Sequence, residues 1–142
     1  MIYKIVATLI AKRLKPLLSS IISPEQTGFV EGRQILDGLV VSQEVVHSLK
    51  AKKEASMMIK LDLSKAYDRL NWNYLREVLR AFGFCNRCIE WISAMISSTN
   101  FSILVNGIPS QPFKTSRGLR QGDPLSPFLF IIVVEGLGRY IC

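Results

Sequence analysis

Histidine and cysteine are scarce in this chain of 142 residues, with a single histidine, His47, and three cysteines, Cys85, Cys88 and Cys142. An odd number of cysteines without a secretion signal argues against a disulfide framework and for a reducing setting inside the cell. Cys85 and Cys88 form a CxxC pair. With no second pair and the histidine far away in sequence, small apolar residues near a helix start are the stronger reading over a metal or redox centre. Long apolar runs are missing as well. The longest, Phe128 to Val134, has seven residues, against the roughly 20 that cross a bilayer. The first helix carries Lys4, Lys12, Arg13 and Lys15 among its apolar residues, so neither a membrane span nor a signal peptide is expected. No linker, internal repeat or low-complexity stretch breaks the chain, and no GxxxxGK with a following Ser or Thr supports a P-loop.

What is present suits one folded domain. Hydrophobic residues make up 49% and aromatics 9%, enough to bury a core and to exclude disorder or a collagen-like chain. Eighteen Lys and Arg stand against eleven Asp and Glu, for a net charge of +7. The bases cluster early (Lys4, Lys12, Arg13, Lys15), centrally (Lys50, Lys52, Lys53) and late (Arg117, Arg120). That spread suits a groove tracking a polyanion backbone; the bland alternative is a charged surface that keeps the chain dispersed.

Apolar residues Ile2, Ile5, Val6, Leu9, Ile10 and Leu14 recur at helical steps, predicting an amphipathic first helix that Pro16 ends or bends. Ser19 to Gly32 reads as a structured loop, and Ile35, Leu36, Leu39, Val40, Val46 and Leu49 as a second helix that runs out near Lys53. Met57 to Leu63 reads as a strand covered on both faces, delivering Asp62 near its end. Helices are expected around Trp72 to Phe82, closed by Gly83 in a left-handed cap, and around Ile89 to Ile96. Phe101 to Val105 reads as a strand turning at Asn106 and Gly107, with Pro109 and Pro112 making the return strand an edge. A last helix, capped by Ser126 with Pro127 at its first position, runs apolar almost all round to Tyr140.

Two segments carry chemistry. In KLDLSKAYDRLNW, Lys60 to Trp72, Asp62 falls where strand becomes turn. A carboxylate there is either a ligand for a hard cation such as magnesium, held on a rigid element, or the cap of the turn that follows. Asp68, past the turn, reads better as a cap or an ion-pair partner. In SRGLRQGDPLSPFLF, Ser116 to Phe130, Gly118 and Gly122 flank Arg120 and Gln121. The backbone can approach a ligand closely there while an amide and a guanidinium face it, or the segment is simply a turn into a buried helix.

Taken together, in this order and spacing, these segments resemble the first catalytic motif and the glycine-glutamine motif of reverse transcriptases of non-LTR, LINE-type retrotransposons, particularly those of plants. IISPEQTGFVEGRQILDG, Ile21 to Gly38, is similar to the fingers-side motif of the same elements, and YKIVATLIAKRLKPLL, Tyr3 to Leu18, to the helix before it. The resemblance covers nearly the whole chain.

It implies an α/β (α+β) fold, the fingers and part of the palm of a right-hand polymerase, with helices on a small, mostly antiparallel sheet. Residues 1–56 would be fingers-side and 57–142 partial palm. By this resemblance Asp62 is the first metal-binding aspartate for Mg2+, with the carbonyl of Leu63 beside it. Tyr67 is the bulky residue under the incoming sugar, or else ordinary core packing. Gln121 and Gly122 line the nucleotide and template pocket, with Gly118 and Arg120 as neighbours. Arg33 contacts template or triphosphate, or is a solvated loop charge. The implied partners are an RNA template, a DNA primer and deoxynucleoside triphosphates, in a compartment that includes the nucleus. The implied chemistry is two-metal nucleotidyl transfer.

The family's next motif, a hairpin with two adjacent aspartates, has no counterpart before Cys142, so a truncated chain unable to polymerise by itself is expected. Exposed apolar surface around Phe128 to Val134 is expected with it. The competing reading is a non-catalytic, basic nucleic-acid-binding remnant. The polymerase reading rests on Asp62 lying near Gln121; an Asp62 turned to solvent and remote from Gln121 is expected to collapse it and to leave a positively charged α/β remnant.

Overall fold

In a computed structural model, which describes residues 2–52, 55 and 57–141, helices α1 (Ile2–Ile21) and α2 (Ile35–Lys52) precede the single turn α3 (Ala66–Arg69), then α4 (Trp72–Ala81) and α5 (Asn86–Ser97). Strands β1 (Asn100–Phe101), β2 (Leu104–Val105), β3 (Ile108–Pro109) and β4 (Phe113–Lys114) follow, and α6 (Ser126–Ile141) closes the order. The architecture is the expected mixture of helices and small antiparallel sheets, β1 with β4 and β2 with β3. Lys53 of the central basic cluster, the 56/57 boundary on its Ser56 side, and Cys142 lie outside the described residues.

The core belongs to α1, α4, α5 and α6, where Leu18, Leu75, Leu79, Ile92, Leu129, Ile131 and Ile132 are almost completely buried. Helix α6 sits in the middle, against α4 on one side and α1 on another. The approach to α4 is close: a Cβ added at Gly136 would stand 2.8 Å from a methyl of Val78. The expectation of exposed apolar surface around Phe128 to Val134 is therefore corrected. Leu129, Ile131 and Ile132 are sealed in, and Phe128, Phe130 and Val133 are partly buried against the same core.

Local chemistry sets most boundaries. Asn71 caps α4, its side chain accepting from the N–H groups of Asn73 (2.8 Å) and Tyr74 (3.3 Å). Gly83, at φ +82°, closes α4, with its own N–H on the Arg80 carbonyl and that of Phe84 on Leu79, the paired bonds of a Schellman motif. Asn106 and Gly107 both have positive φ and turn β2 into β3 as expected. Between Phe101↔Phe113 and Leu104↔Pro109 the return strand carries one residue more than the outgoing one. Ser110 bridges that bulge: its N–H donates to the Ile103 carbonyl (2.8 Å) and its hydroxyl accepts from the Ile103 N–H (2.9 Å).

Four expectations are revised. Helix α1 passes through Pro16 to Ile21; the Lys12 carbonyl that loses its donor lies on an exposed face, where water can satisfy it. Its buried stripe is Ala7, Ala11, Leu14 and Leu18, with Ile5, Val6 and Leu9 exposed, because small alanines allow the closer helix approach. Residues 57–63 form no strand, and Met57, Met58, Ile59, Leu61 and Leu63 are exposed; a strand needs a ladder partner, and none of the described residues pairs with this segment. Ser126 lies inside the first turn of α6 rather than capping it. Leu129 N–H already bonds the Leu125 carbonyl, and Asp123 braces the turn before the helix by accepting from Leu125 N–H (3.0 Å).

Candidate functional site

The two chemistry-bearing segments meet backbone to backbone. Gly118 N–H donates to the Leu70 carbonyl and Leu119 N–H to the Tyr67 carbonyl, both at 2.8 Å. The indole N–H of Trp72 donates to the Gly118 carbonyl at 2.7 Å. Gly118 has φ +90°, and a Cβ there would lie 2.9 Å from the Asp68 carbonyl oxygen. Only glycine fits, because of the close approach and the left-handed backbone together. Tyr67 is half-buried, stacks on Phe130 with centroids 4.9 Å apart, and its phenol is pushed above its ordinary pKa by burial.

Beyond Gly118 the loop borders an open cavity of about 850 Å³. Arg117, Arg120 and Gln121 line one side, Tyr3, Thr99 and Phe101 another. The guanidinium of Arg120 sits 4.9 Å from the ring centre of Tyr3 and 5.9 Å from that of Phe101, a cation held between two aromatic faces. The Tyr3 hydroxyl donates to Asp123. Burial first, then this carboxylate, pushes the Tyr3 pKa up to about 12. Thr99 is buried, and its hydroxyl, at the cavity wall, is the buried side-chain polar atom without a partner among the described residues.

Asp62 and Leu63 lie elsewhere, at the rim of a second cleft of about 340 Å³ floored by Phe130, Val133 and Leu137. Asp62 is exposed. Helix α3 stands between the clefts, giving Asp68 to the first and Ala66 and Arg69 to the second. Gly118, Arg120, Gln121 and Gly122 are thus brought together, with Tyr67 hydrogen-bonded to the same loop, whereas Asp62 and Leu63 are not in that group. Gln121 and Gly122 are exposed. Arg33 is apart from both clefts: its guanidinium donates to the carbonyls of Ile22, Ser23 and Gln26, closing the end of α1.

The Asp62 carboxylate and the Leu63 carbonyl are hard oxygen donors of the type magnesium takes, but they amount to one side of a shell. Among the described residues no three His, Cys, Asp or Glu side chains converge to hold a metal. At the CxxC, Cys85 is exposed at the start of α5, and burial followed by the neighbouring Cys85 raises the pKa of Cys88. No helix among the described residues is long and apolar enough to cross a membrane.

The residues that sequence reasoning missed are Tyr3, Thr99, Phe101 and Trp72. Their roles depend on contacts between segments far apart in the chain, such as the 120-residue separation of Tyr3 and Asp123, and no local pattern announces them.

Comparison with known proteins identifies the family. The chain matches the family model for reverse transcriptase (RNA-dependent DNA polymerase) over residues 1–141. It is 33% identical, over 94% of its length, to the transposon TX1 uncharacterized 149 kDa protein of Xenopus laevis, of which it covers 10%. It is 30% identical, over 82% of its length, to the retrovirus-related Pol polyprotein from type-2 retrotransposable element R2DM of Drosophila melanogaster, of which it covers 11%. A 34-residue stretch is 59% identical to the uncharacterized mitochondrial protein AtMg01250 of Arabidopsis thaliana. The chain therefore spans about a tenth of the length of the first two relatives, and it belongs to the reverse transcriptase (RNA-dependent DNA polymerase) family, in the form carried by non-LTR retrotransposons.

Proposed function

We propose that the chain contributes the nucleotide- and template-facing part of an RNA-directed DNA polymerase that copies RNA by nucleotidyl transfer. Residues 1–56 serve on the fingers side and 57–142 form part of the palm. The observation that carries this reading is the hydrogen-bonded seam between Tyr67–Trp72 and Gly118–Leu119, which joins the two family motifs in one rigid unit beside a cationic, aromatic-walled cavity. In that cavity Arg120 and Arg117 face nucleotide phosphates and Gln121 the base or template.

Mg2+, when bound, stabilises the attacking and leaving oxygens of the transfer, and Asp62 with the Leu63 carbonyl would hold one side of it. The work of the other named residues is to bind and orient nucleotide and template. Exposed Lys4, Lys12 and Arg13 of α1 offer phosphate contacts, whereas Lys15 is already paired with Glu31 at 2.8 Å. The protein acts on an RNA template and DNA primer inside the cell, in a compartment reducing enough to keep Cys85 and Cys88 as thiols, the nucleus included.

The exposure of Asp62 and its separation from Gln121 favour a second reading, a basic nucleic-acid-binding chain without catalysis. One experiment separates them. Under the first reading dGTP binding is strengthened by magnesium, and Asp62→Asn abolishes that gain. RNA binding that weakens steeply with salt and ignores Asp62→Asn, with no magnesium effect on dGTP, replaces the first reading by the second. Primer extension by the 142-residue chain alone is expected to be undetectable, because one aspartate is a fraction of a two-metal site.

A further inference from the structure

We infer that Trp72 is a positioning residue for the nucleotide site, acting through Gly118 to fix the spacing between Tyr67 and the loop that carries Gln121. The inference rests on the nucleotide-binding reading above. Trp72 opens α4, whose start is fixed by the Asn71 cap and whose buried Leu75, Val78 and Leu79 seat it in the core. An indole N–H mounted on that rigid base reaches out at 2.7 Å to the Gly118 carbonyl. The Gly118 N–H is held from the other side by Leu70, and the glycine has no room to slide because the Asp68 backbone is in contact.

Gly118 is therefore pinned at its N–H, at its carbonyl and at its Cα. The next residue, Leu119, is buried and bonded to the Tyr67 carbonyl. Arg120 and Gln121 emerge directly from this fixed point, so their position relative to Tyr67 follows from the clamp. Of the three hydrogen bonds, two are backbone to backbone, and Trp72 supplies the one made by a side chain. Removing that donor leaves the Gly118 carbonyl without its partner and removes one of the three hydrogen bonds that fix the loop, while the packing of α4 remains.

The test uses Trp72→Phe, which keeps an aromatic ring and loses the N–H, beside Asn71→Ala, which weakens α4 without touching Gly118. Binding of dGTP and of GTP is measured for both variants and for the unaltered chain. Trp72→Phe is expected to weaken dGTP by about fivefold, the effect of one lost hydrogen bond, and to narrow the preference for dGTP over GTP that Tyr67, by the resemblance the bulky residue under the incoming sugar, gives by disfavouring a 2'-hydroxyl. Asn71→Ala should lower stability and leave that preference as it was.

A spectroscopic signature accompanies this. The chain has two tryptophans, Trp72 and Trp91, hence two indole N–H signals. The Trp72 signal should exchange slowly with solvent and move on titration with dGTP, while that of Trp91, on a side chain 53% exposed, exchanges fast and stays. If dGTP binds and neither Trp72→Phe nor the Trp72 signal registers it, the positioning role is overturned while the nucleotide site stands. An equal change of preference in Asn71→Ala also overturns it, reducing Trp72 to a stabilising contact. A chain that binds no nucleotide overturns both readings.

Discussion

In α6 the side chains of Leu129, Ile131 and Ile132 are all but sealed from water, whereas in α2 Ile35, Leu36, Leu39 and Val40 stand more than half exposed. Both helices read as apolar, and α2, without a single buried residue, is only slightly the longer. The difference lies in what each meets. Helix α6 offers Gly136 for close approach to α4, and Glu135 and Arg139 to fasten α1. Around α2 the contacts are local: a Cβ on Gly38 would press on the Thr27 side chain, and the Ser42 hydroxyl turns back to the Gly38 carbonyl. Apolar content thus states how much surface wants cover; geometry decides which helix receives it.

The sharpest way to break this comparison is a matched pair of truncations. Ile132→Ala in α6 should cost about 2–5 kcal/mol, and Val40→Ala in α2 less than about 0.5 kcal/mol, both read from urea unfolding midpoints. Equal effects would mean that α2 is buried in solution. Next comes Gly136→Ala, whose methyl meets Val78 at 2.8 Å. Overpacking there should cost about 1–3 kcal/mol, and pairing it with Val78→Ala should recover part of the loss if the α4–α6 contact is the cause.

A smaller effect concerns Glu135, a nearly buried carboxylate that accepts from Arg139 (2.8 Å) and Ser23 (2.9 Å). Burial pushes its pKa up, but the bonds from Arg139 and Ser23 outweigh that and hold the carboxyl below its ordinary value of 4.5. A lowered folded pKa means stability that is present above 4.5 and is lost as the pH falls through the folded value. Glu135→Gln should cost roughly 1–2 kcal/mol at neutral pH and lose most of this acid dependence. The check is the unfolding midpoint of both chains followed into the acid range.

Elements whose signals are local were legible in the sequence. The Gly83 closure of α4, the Asn106–Gly107 turn and the extent of α2 each follow from residues within a few positions of one another. The motifs around Tyr67 and Gln121 were legible as a resemblance, and the family match agrees. What was not legible depends on partners far along the chain. Residues 57–63 have the composition of a covered strand, but composition supplies no ladder. The phase of the α1 stripe was misread because Ala7 and Ala11 carry little hydrophobic weight, yet they allow the close approach that buries that face. Arg33 reads as a template contact or a solvated loop charge, while three carbonyls in the loop after α1 take up its guanidinium. Gly118 looked like freedom for a ligand to approach; its neighbour is the backbone of the first motif.

Helix α1 is buckled to the last twenty residues of the chain at both ends, through Tyr3 to Asp123 near its start and through Ser23 and Ile21 to Glu135 and Arg139 near its finish. A ribosome delivers these partners more than a hundred residues apart. Until α6 has emerged, the nascent chain must carry Leu14 and Leu18 uncovered, exposed to chaperones and to neighbouring nascent chains. Docking of α1 thus waits for α6.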